Sequence, residues 1–267
     1  MSRPNNLPDY ENPPLSEVVL GVQFVPPAGY QQIYSRDVWE LFKIDFPKVK
    51  EVEALPPSFE TFGLPKIKRS DIKLLTGATH DRFWFLSEDE TELIQFQQDR
   101  LLHNWRKLKD GSNPYPRFEK ILPKFESELL KLEEYYLSNF TFMGLEINQC
   151  ELTYVNHITL SDRKQPFDKW VRIVNLESLE FEDVSITTQK QLKSDDGEPY
   201  GRLICVCNST FDQDMKPIIE LRLTVRGAPA KTNIEESLIL LNNGRDIIVN
   251  SFDEITTKLA HEKWRKK

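Results

Sequence analysis

The chain contains 267 residues, of which 39% are apolar and 29% charged, and its formal net charge at pH 7 is −7. Its 16 Phe and 5 Trp residues can build a core, which excludes a disordered chain, and no apolar run approaches the roughly 20 residues that cross a bilayer. The N-terminus lacks the apolar segment of a secretory signal, and three cysteines cannot form a disulfide framework, so we expect a cytoplasmic protein. The acidic balance argues against broad, non-specific binding of nucleic acid and leaves open only a local basic patch.

Apolar spacing in the first half of the chain predicts strands and helices separated by a long loop. In chain order we predict a strand at 15–24, a helix at 35–46, and a long loop or insertion with short pieces of structure at 47–80. A hairpin follows, with strands at 82–86 and at 93–96, the second continuing to about 106, and then a long helix that ends near 136. The loop is a candidate cover or partner-binding edge. The long helix has a buried stripe formed by Phe118, Leu122, Phe125, Leu129, Leu132 and Tyr136.

The second half is predicted to begin with one long strand and to end with a helix. We predict the strand at about 140–158 with a bulge at Gly144, a short helical piece at 167–174, an antiparallel meander at about 180–191, 201–211 and 217–226, and a C-terminal helix. Thr232 and Glu235 form a capping box for that helix, and Asn242-Asn-Gly244 is expected to break it in two.

This order of elements predicts the α+β class, with a large, mostly antiparallel sheet and helices packed mainly on one face. We divide the chain into halves at 1–138 and 139–267 and expect them to form one compact body. Their similar order of elements is compatible with a diverged duplication, although no residue-level repeat is present.

Short motifs in three parts of the chain carry a family resemblance. They are Asn12-Pro-Pro-Leu-Ser-Glu17 before and within the first strand, Glu151–Ile158 with Tyr154-Val-Asn156 at its centre, and Ser251–Thr256 followed by Trp264. They resemble a sporadically distributed bacterial family of about this length that has no assigned activity, so no catalytic residue is implied. The patchy occurrence of that family implies mobile loci, including defence or toxin–antitoxin islands.

No residue pattern identifies a catalytic chemistry. The four His residues have no zinc-binding spacing, and Cys205 and Cys207, which share a strand face, are interpreted as core residues. Glycine-rich phosphate loops and a serine nucleophile elbow are missing from the sequence, and Cys150 and His157 point to opposite faces of one strand. We therefore expect no metal or other cofactor and favour a non-enzymatic protein, while acid and lysine sets of the nuclease kind remain compatible with the composition.

Four polar residues interrupt strands that otherwise look buried, namely Glu17, Glu151, Asn156 and His157. Buried polar groups need hydrogen-bond partners, so the simplest interpretation is that these residues fix the strand register or face water. The alternative is a polar pocket on the sheet. A cleft that joined Glu17, Glu151 and His157 would favour catalysis.

The last strand alternates between apolar residues and Glu220, Arg222, Thr224 and Arg226. The simplest interpretation is an ordinary solvated face. Alternatively, Arg222 and Arg226, about 7 Å apart, could bind a carboxylate or phosphate, although Glu220 is placed to neutralise one of them. Trp264, within a basic tail, is a further candidate contact for an acidic partner.

The leading hypothesis is therefore a soluble bacterial protein without catalytic activity that binds another protein, such as the product of a neighbouring gene. No membrane contact is expected, and an assembly of identical copies stays open. One alternative is a pocket protein for a small anionic ligand, and a second is an unrecognised hydrolase or nuclease.

Overall fold

A computed structural model describes residues 4, 6–62, 81–108, 111, 113–161, 167–173 and 183–267. The predicted loop segment 63–80 and parts of the predicted elements near 167–174 and 180–191 lie outside these residues. In chain order the elements are β1 (Leu15–Phe24), α1 (Ser35–Glu40), β2 (Lys48–Val52), β3 (Arg82–Leu86), β4 (Glu92–Gln97), β5 (Arg100–Arg106), α2 (Phe118–Asn139), β6 (Ile147–Thr159), β7 (Ser185–Lys193), β8 (Pro199–Phe211), β9 (Pro217–Gly227), α3 (Ile234–Ile255) and α4 (Lys258–Lys263).

The nine described strands form one sheet in the order β2-β3-β4-β5-β1-β6-β9-β8-β7. All neighbouring strands run antiparallel, which confirms the predicted α+β class. β1 and β6 pair at the middle, so the two predicted halves share a continuous sheet. In the first half four strands, β2 to β5, follow β1, and in the second half three strands, β7 to β9, follow β6; in both halves the last of these strands pairs with the first strand, and a long helix comes next. The shared order of elements does not show a duplication, which stays a prediction.

The helices α2 and α3 pack on one face of the sheet through apolar stripes. The six predicted stripe residues of α2 are all buried, and they meet alternate strand residues such as Val18, Leu20 and Val22 of β1. Alternation places the other residues of each strand on the opposite face, which we call the open face. No helix in the described ranges is long and apolar enough to cross a membrane.

Two predicted elements of the first half are divided differently in the structure. The predicted helix at 35–46 ends as α1 at Glu40 and continues as hydrogen-bonded turns to Phe46. The predicted strand at 93–106 is two strands, β4 and β5, because the chain turns back at residues 98–99. The loop at 47–80 contains β2 in its first part.

Three predictions for the second half are also wrong in detail. β6 begins at Ile147, so Gly144, whose φ is 134°, lies before the strand and is not a bulge within it. α3 runs without a break through Gly244, which lets the helix approach the sheet closely, since a Cβ there would lie 3.2 Å from Val225 Cγ1. The N-cap is Asn233, whose side chain accepts from Glu236 N at 2.9 Å, and not Thr232.

The two termini are held together beside α3. Glu11 N donates to Arg265 O at 3.2 Å, and Asn12 N donates to Trp264 O at 3.1 Å. The Trp264 indole is only 5% exposed and stacks on Phe252 at 5.3 Å between ring centroids. Its ring is therefore used in packing the C-terminus.

We expect the docking of the termini to weaken in acid through Asp253. This carboxylate accepts from Tyr10 Oη at 2.6 Å and pairs with Lys266. Burial raises the pKa of Asp253, but the hydrogen bonds from Lys266 and Tyr10 outweigh burial, so the pKa lies below its usual value. A depressed folded pKa gives stability that is present above the unfolded value of about 3.9 and is lost as pH falls through the folded pKa.

Equilibrium unfolding from about pH 5 to about pH 3 tests this expectation. Asp253→Asn should lose less stability over that range than the unmodified protein, because the amide side chain has no charge to lose. Asp196→Asn, in the exposed turn between β7 and β8, is the matched control and should follow the unmodified protein. Equal losses for Asp253→Asn and the unmodified protein would show that Asp253 carries no such linkage.

Candidate binding groove on the open sheet face

Residues 53–62, which we call the strap, leave β2 and cross the open face in extended form. At the first crossing point Arg82 Nε of β3 donates to Glu53 O at 2.9 Å. On the next strand, Gln97 Oε1 accepts from Leu55 N at 2.8 Å, and Gln97 Nε2 donates to Leu55 O at 3.0 Å. Gln97 therefore binds both main-chain groups of one strap residue.

The middle of the strap is bound by one side chain from each of three central strands. Arg100 Nη2 of β5 donates to Pro56 O at 3.1 Å. The Oε1 atom of Gln23 in β1 accepts from Ser58 N at 3.1 Å, and Gln149 Oε1 in β6 accepts from Glu60 N at 3.2 Å. These contacts again use strap main-chain atoms, which every sequence possesses.

The far end of the strap is anchored by the carboxylate of Glu60, whose side chain is only 4% exposed. Arg202 of β8 pairs with this carboxylate, and its Nη2 donates to Thr61 O at 2.8 Å. The same guanidinium lies 4.7 Å from the centroid of the Phe62 ring. Arg226 Nη1 of β9 lies 3.6 Å from Glu60 Oε1, so two arginines surround one acid.

The seven contributing strands are consecutive in the sheet, from β3 through β4, β5, β1, β6 and β9 to β8. Seven strands about 4.8 Å apart span roughly 29 Å, and ten extended residues reach about 33 Å. The strap therefore crosses the strands at a steep angle and binds to one polar side chain per strand. We call the strip of the open face that these seven side chains line the groove.

Two of the predicted site residues, Glu151 and Arg226, lie at the anchored end of the strap. Arg226 Nε donates to Glu151 Oε2 at 2.6 Å. Arg222 instead pairs with Glu220 at 3.3 Å, so each predicted arginine has its own carboxylate. The Glu220 carboxylate also lies 3.7 Å from His157 Nε2, and the contact with His157, assisted by the charge of Arg222 against the opposing effect of burial, holds the pKa of Glu220 below its usual value.

The remaining predicted residues lie apart from this row. Glu17 Oε1 accepts from Asn104 Nδ2 at 2.7 Å on the open face. Asn156 is buried on the face that the helices cover, and its Nδ2 donates to Leu221 O at 3.2 Å. It lines a small cavity to which residues 8–15 near the N-terminus also contribute. The cavity that contains Glu151 is lined by neither Glu17 nor His157, so it does not join the three residues that would favour catalysis.

The cysteines are poorly suited to nucleophilic chemistry. Cys150, Cys205 and Cys207 are free and buried. Burial raises the pKa of Cys150 to about 12 and that of Cys205 to about 11, and it also raises the pKa of Cys207. Since the thiolate is the nucleophile, these groups stay protonated and inert near neutral pH. Within the described ranges no three His, Cys, Asp or Glu residues are grouped to hold a metal ion.

Most of the groove was not predicted from the sequence, namely Gln23, Arg82, Gln97, Arg100, Gln149 and Arg202. A signal was available, since glutamine or arginine stands at an open-face position near one end of each strand. Such residues ordinarily face water, however, and only the path of the strap shows that they share a ligand. Gln23, Gln97, Arg100 and Gln149 are each at most 7% exposed.

A comparison with known protein families and with curated proteins finds no match for the chain. The family resemblance drawn from its short motifs therefore stays a prediction.

Proposed function

We propose that this is a non-enzymatic, cytoplasmic protein that binds an extended segment of a partner protein in the groove. The observation that carries the proposal is the strap itself, a segment that is bound by side chains from seven consecutive strands, six of which contact its main chain. The strap then acts as an internal occupant that a partner segment replaces. The product of a neighbouring gene is a suitable partner if the resemblance to mobile-locus proteins holds.

The chemistry of the groove defines what the partner segment should contain. Contacts to main-chain N–H and C=O groups give affinity with little regard to sequence. Selectivity comes from the anchored end, where Arg202 and Arg226 require a carboxylate in place of that of Glu60. We expect a partner segment of about ten extended residues with an acidic residue near its C-terminal end and an aromatic residue two positions later.

The strap is held in a way that allows replacement. Each hydrogen bond described above between strap and sheet uses a sheet side chain, and a typical hydrogen bond contributes a net of about 0.5–1.5 kcal/mol. The strap also buries little apolar surface, since Phe59 is 55% exposed and Pro56 and Pro57 are exposed. Local detachment should therefore cost less than global unfolding.

A labelled peptide with the sequence of residues 53–62 tests the proposal by fluorescence polarisation. In the unmodified protein the internal strap competes, so the peptide should bind weakly. The full-length variant Glu60→Ala weakens the strap but leaves the groove intact, and it should bind the peptide at least about tenfold more tightly, equivalent to about 1.4 kcal/mol.

Two controls make this result specific. The peptide in which the glutamate that corresponds to Glu60 is replaced by alanine should bind the Glu60→Ala protein at least about tenfold more weakly than the parent peptide. The full-length variant Glu11→Ala, which removes an exposed acid outside the strap, should behave as the unmodified protein. Failure of the parent peptide to bind folded Glu60→Ala protein would contradict an exchangeable groove.

A further inference from the structure

A cavity of about 260 Å³ lies between the strap and the middle of the sheet. Pro56 and Ser58 of the strap line one side, and Gly21 and Gln149 line the sheet side. Gly21 leaves this space because it has no side chain, and a Cβ there would lie 2.9 Å from Leu102 Cγ. The cavity is therefore built into the sheet and bordered by the strap.

One hydrogen-bond donor at this cavity has no acceptor. Gln149 is 5% exposed, and its Oε1 is used by Glu60 N. Its Nε2 is buried and has no hydrogen-bond partner in the described part of the chain. Leaving a buried N–H unsatisfied is unfavourable, so this position favours a bound molecule that supplies an oxygen.

Glu151 adds an acceptor next to this donor. It lies two residues along the same strand, so its side chain is on the same face as that of Gln149, and it also lines the cavity. Its Oε2 atom binds Arg226, whereas Oε1 has, within the described ranges, only a long contact of 3.4 Å with the Thr153 hydroxyl. A ligand can therefore place an oxygen at Gln149 and an N–H at Glu151.

The charged groups at the cavity are already paired. Among the described residues the two lining arginines, Arg100 and Arg226, form ion pairs, Arg100 with Asp99 and Arg226 with Glu60 and Glu151. An anionic ligand would compete with carboxylates already in place. The pairing therefore favours an uncharged ligand.

The geometry points to a binding site for a small uncharged molecule that presents a carbonyl oxygen beside an N–H group, as in a carboxamide or the lactam edge of a nucleobase. At about 30 Å³ for each water-sized unit, the cavity accommodates roughly nine non-hydrogen atoms. Gln149 Nε2 donates to the carbonyl oxygen, and Glu151 Oε1 accepts from the N–H. The ligand contacts both strap and sheet.

Nuclear magnetic resonance titration of the side-chain amide of Gln149 tests this site in the unmodified protein. N-acetylglycinamide represents the carboxamide source, uracil represents the lactam source, and acetate is the anionic comparison. We expect at least one of the two uncharged probes to shift the Gln149 side-chain signals and to bind at least about tenfold more tightly than acetate.

Gln149→Glu keeps an oxygen for Glu60 N but removes the free donor, so it should weaken probe binding about tenfold. Gln149→Met, which removes the donor without adding a charge, should also weaken probe binding about tenfold. Gln191→Glu, at an exposed position on β7, is the control and should leave binding unchanged. The site is overturned if neither uncharged probe binds, if acetate binds equally well, or if both Gln149 variants, with native main-chain spectra, retain full binding. Because the strap stays in place throughout, these failures are distinct from failure of peptide exchange in Glu60→Ala.

Discussion

Replacing Leu129 by Ala should lower the free energy of unfolding by about 2–5 kcal/mol. Leu129 is fully buried at the centre of the α2 stripe, between Phe125 and Leu132. Truncation removes apolar contacts and leaves a cavity that the neighbouring side chains fill only in part. Reversible denaturant unfolding, followed by a tryptophan or circular-dichroism signal, measures the loss.

The neighbouring residue provides a matched control for this prediction. Leu130 lies on the same helix one position later, and its side chain is 50% exposed. Leu130→Ala should change the stability by no more than about 0.5 kcal/mol, as is usual at surface positions. Similar losses for the two variants would show that α2 does not pack on the sheet through the predicted stripe.

Breaking the buried pair of His103 and Glu128 should cost about 3–5 kcal/mol. His103 is fully buried, Glu128 is 4% exposed, and His103 Nδ1 lies 2.9 and 3.0 Å from the two carboxylate oxygens. Glu128→Leu leaves the imidazole without its partner, and His103→Leu leaves a carboxylate buried between helix and sheet. Each single replacement therefore strands a polar group away from water.

The double variant distinguishes this pairing from a simple packing effect. His103→Leu with Glu128→Leu removes both polar groups together, and replacing a buried pair by apolar residues is often neutral or even stabilising. We expect the double variant to be more stable than either single variant. If the stability losses of the two single variants add up to the loss of the double variant within about 0.5 kcal/mol, the two residues are not energetically coupled.

The elements with strong periodicity could be predicted from sequence because local spacing determines them. The α2 stripe and β1 follow from apolar residues at helical and strand spacing, and both occur in the structure. Gly244 shows where local rules fail. Its propensity to break a helix is overridden by close packing against Val225, and that contact depends on a strand 19 residues away.

The groove was less predictable than the fold because it depends on distant contacts. Gln23 and Ser58 are 35 residues apart, and Arg202 and Glu60 are 142 apart. Arg222 and Arg226 were candidates because of their alternate spacing, yet the structure gives them separate carboxylates, Glu220 and Glu151. Spacing along one strand therefore defines the face of a side chain but not its partner.

Residue-resolved hydrogen exchange of the strap tests the central claim most directly. The amides of Leu55, Ser58 and Glu60 donate to groove side chains, so they should exchange more slowly than in a free peptide. They should also open at a lower free energy than the amides of Leu20 and Leu152 in the paired central strands. Exchange at the free-peptide rate would show that the strap is not seated in the groove, and exchange only with global unfolding would show that it cannot be replaced.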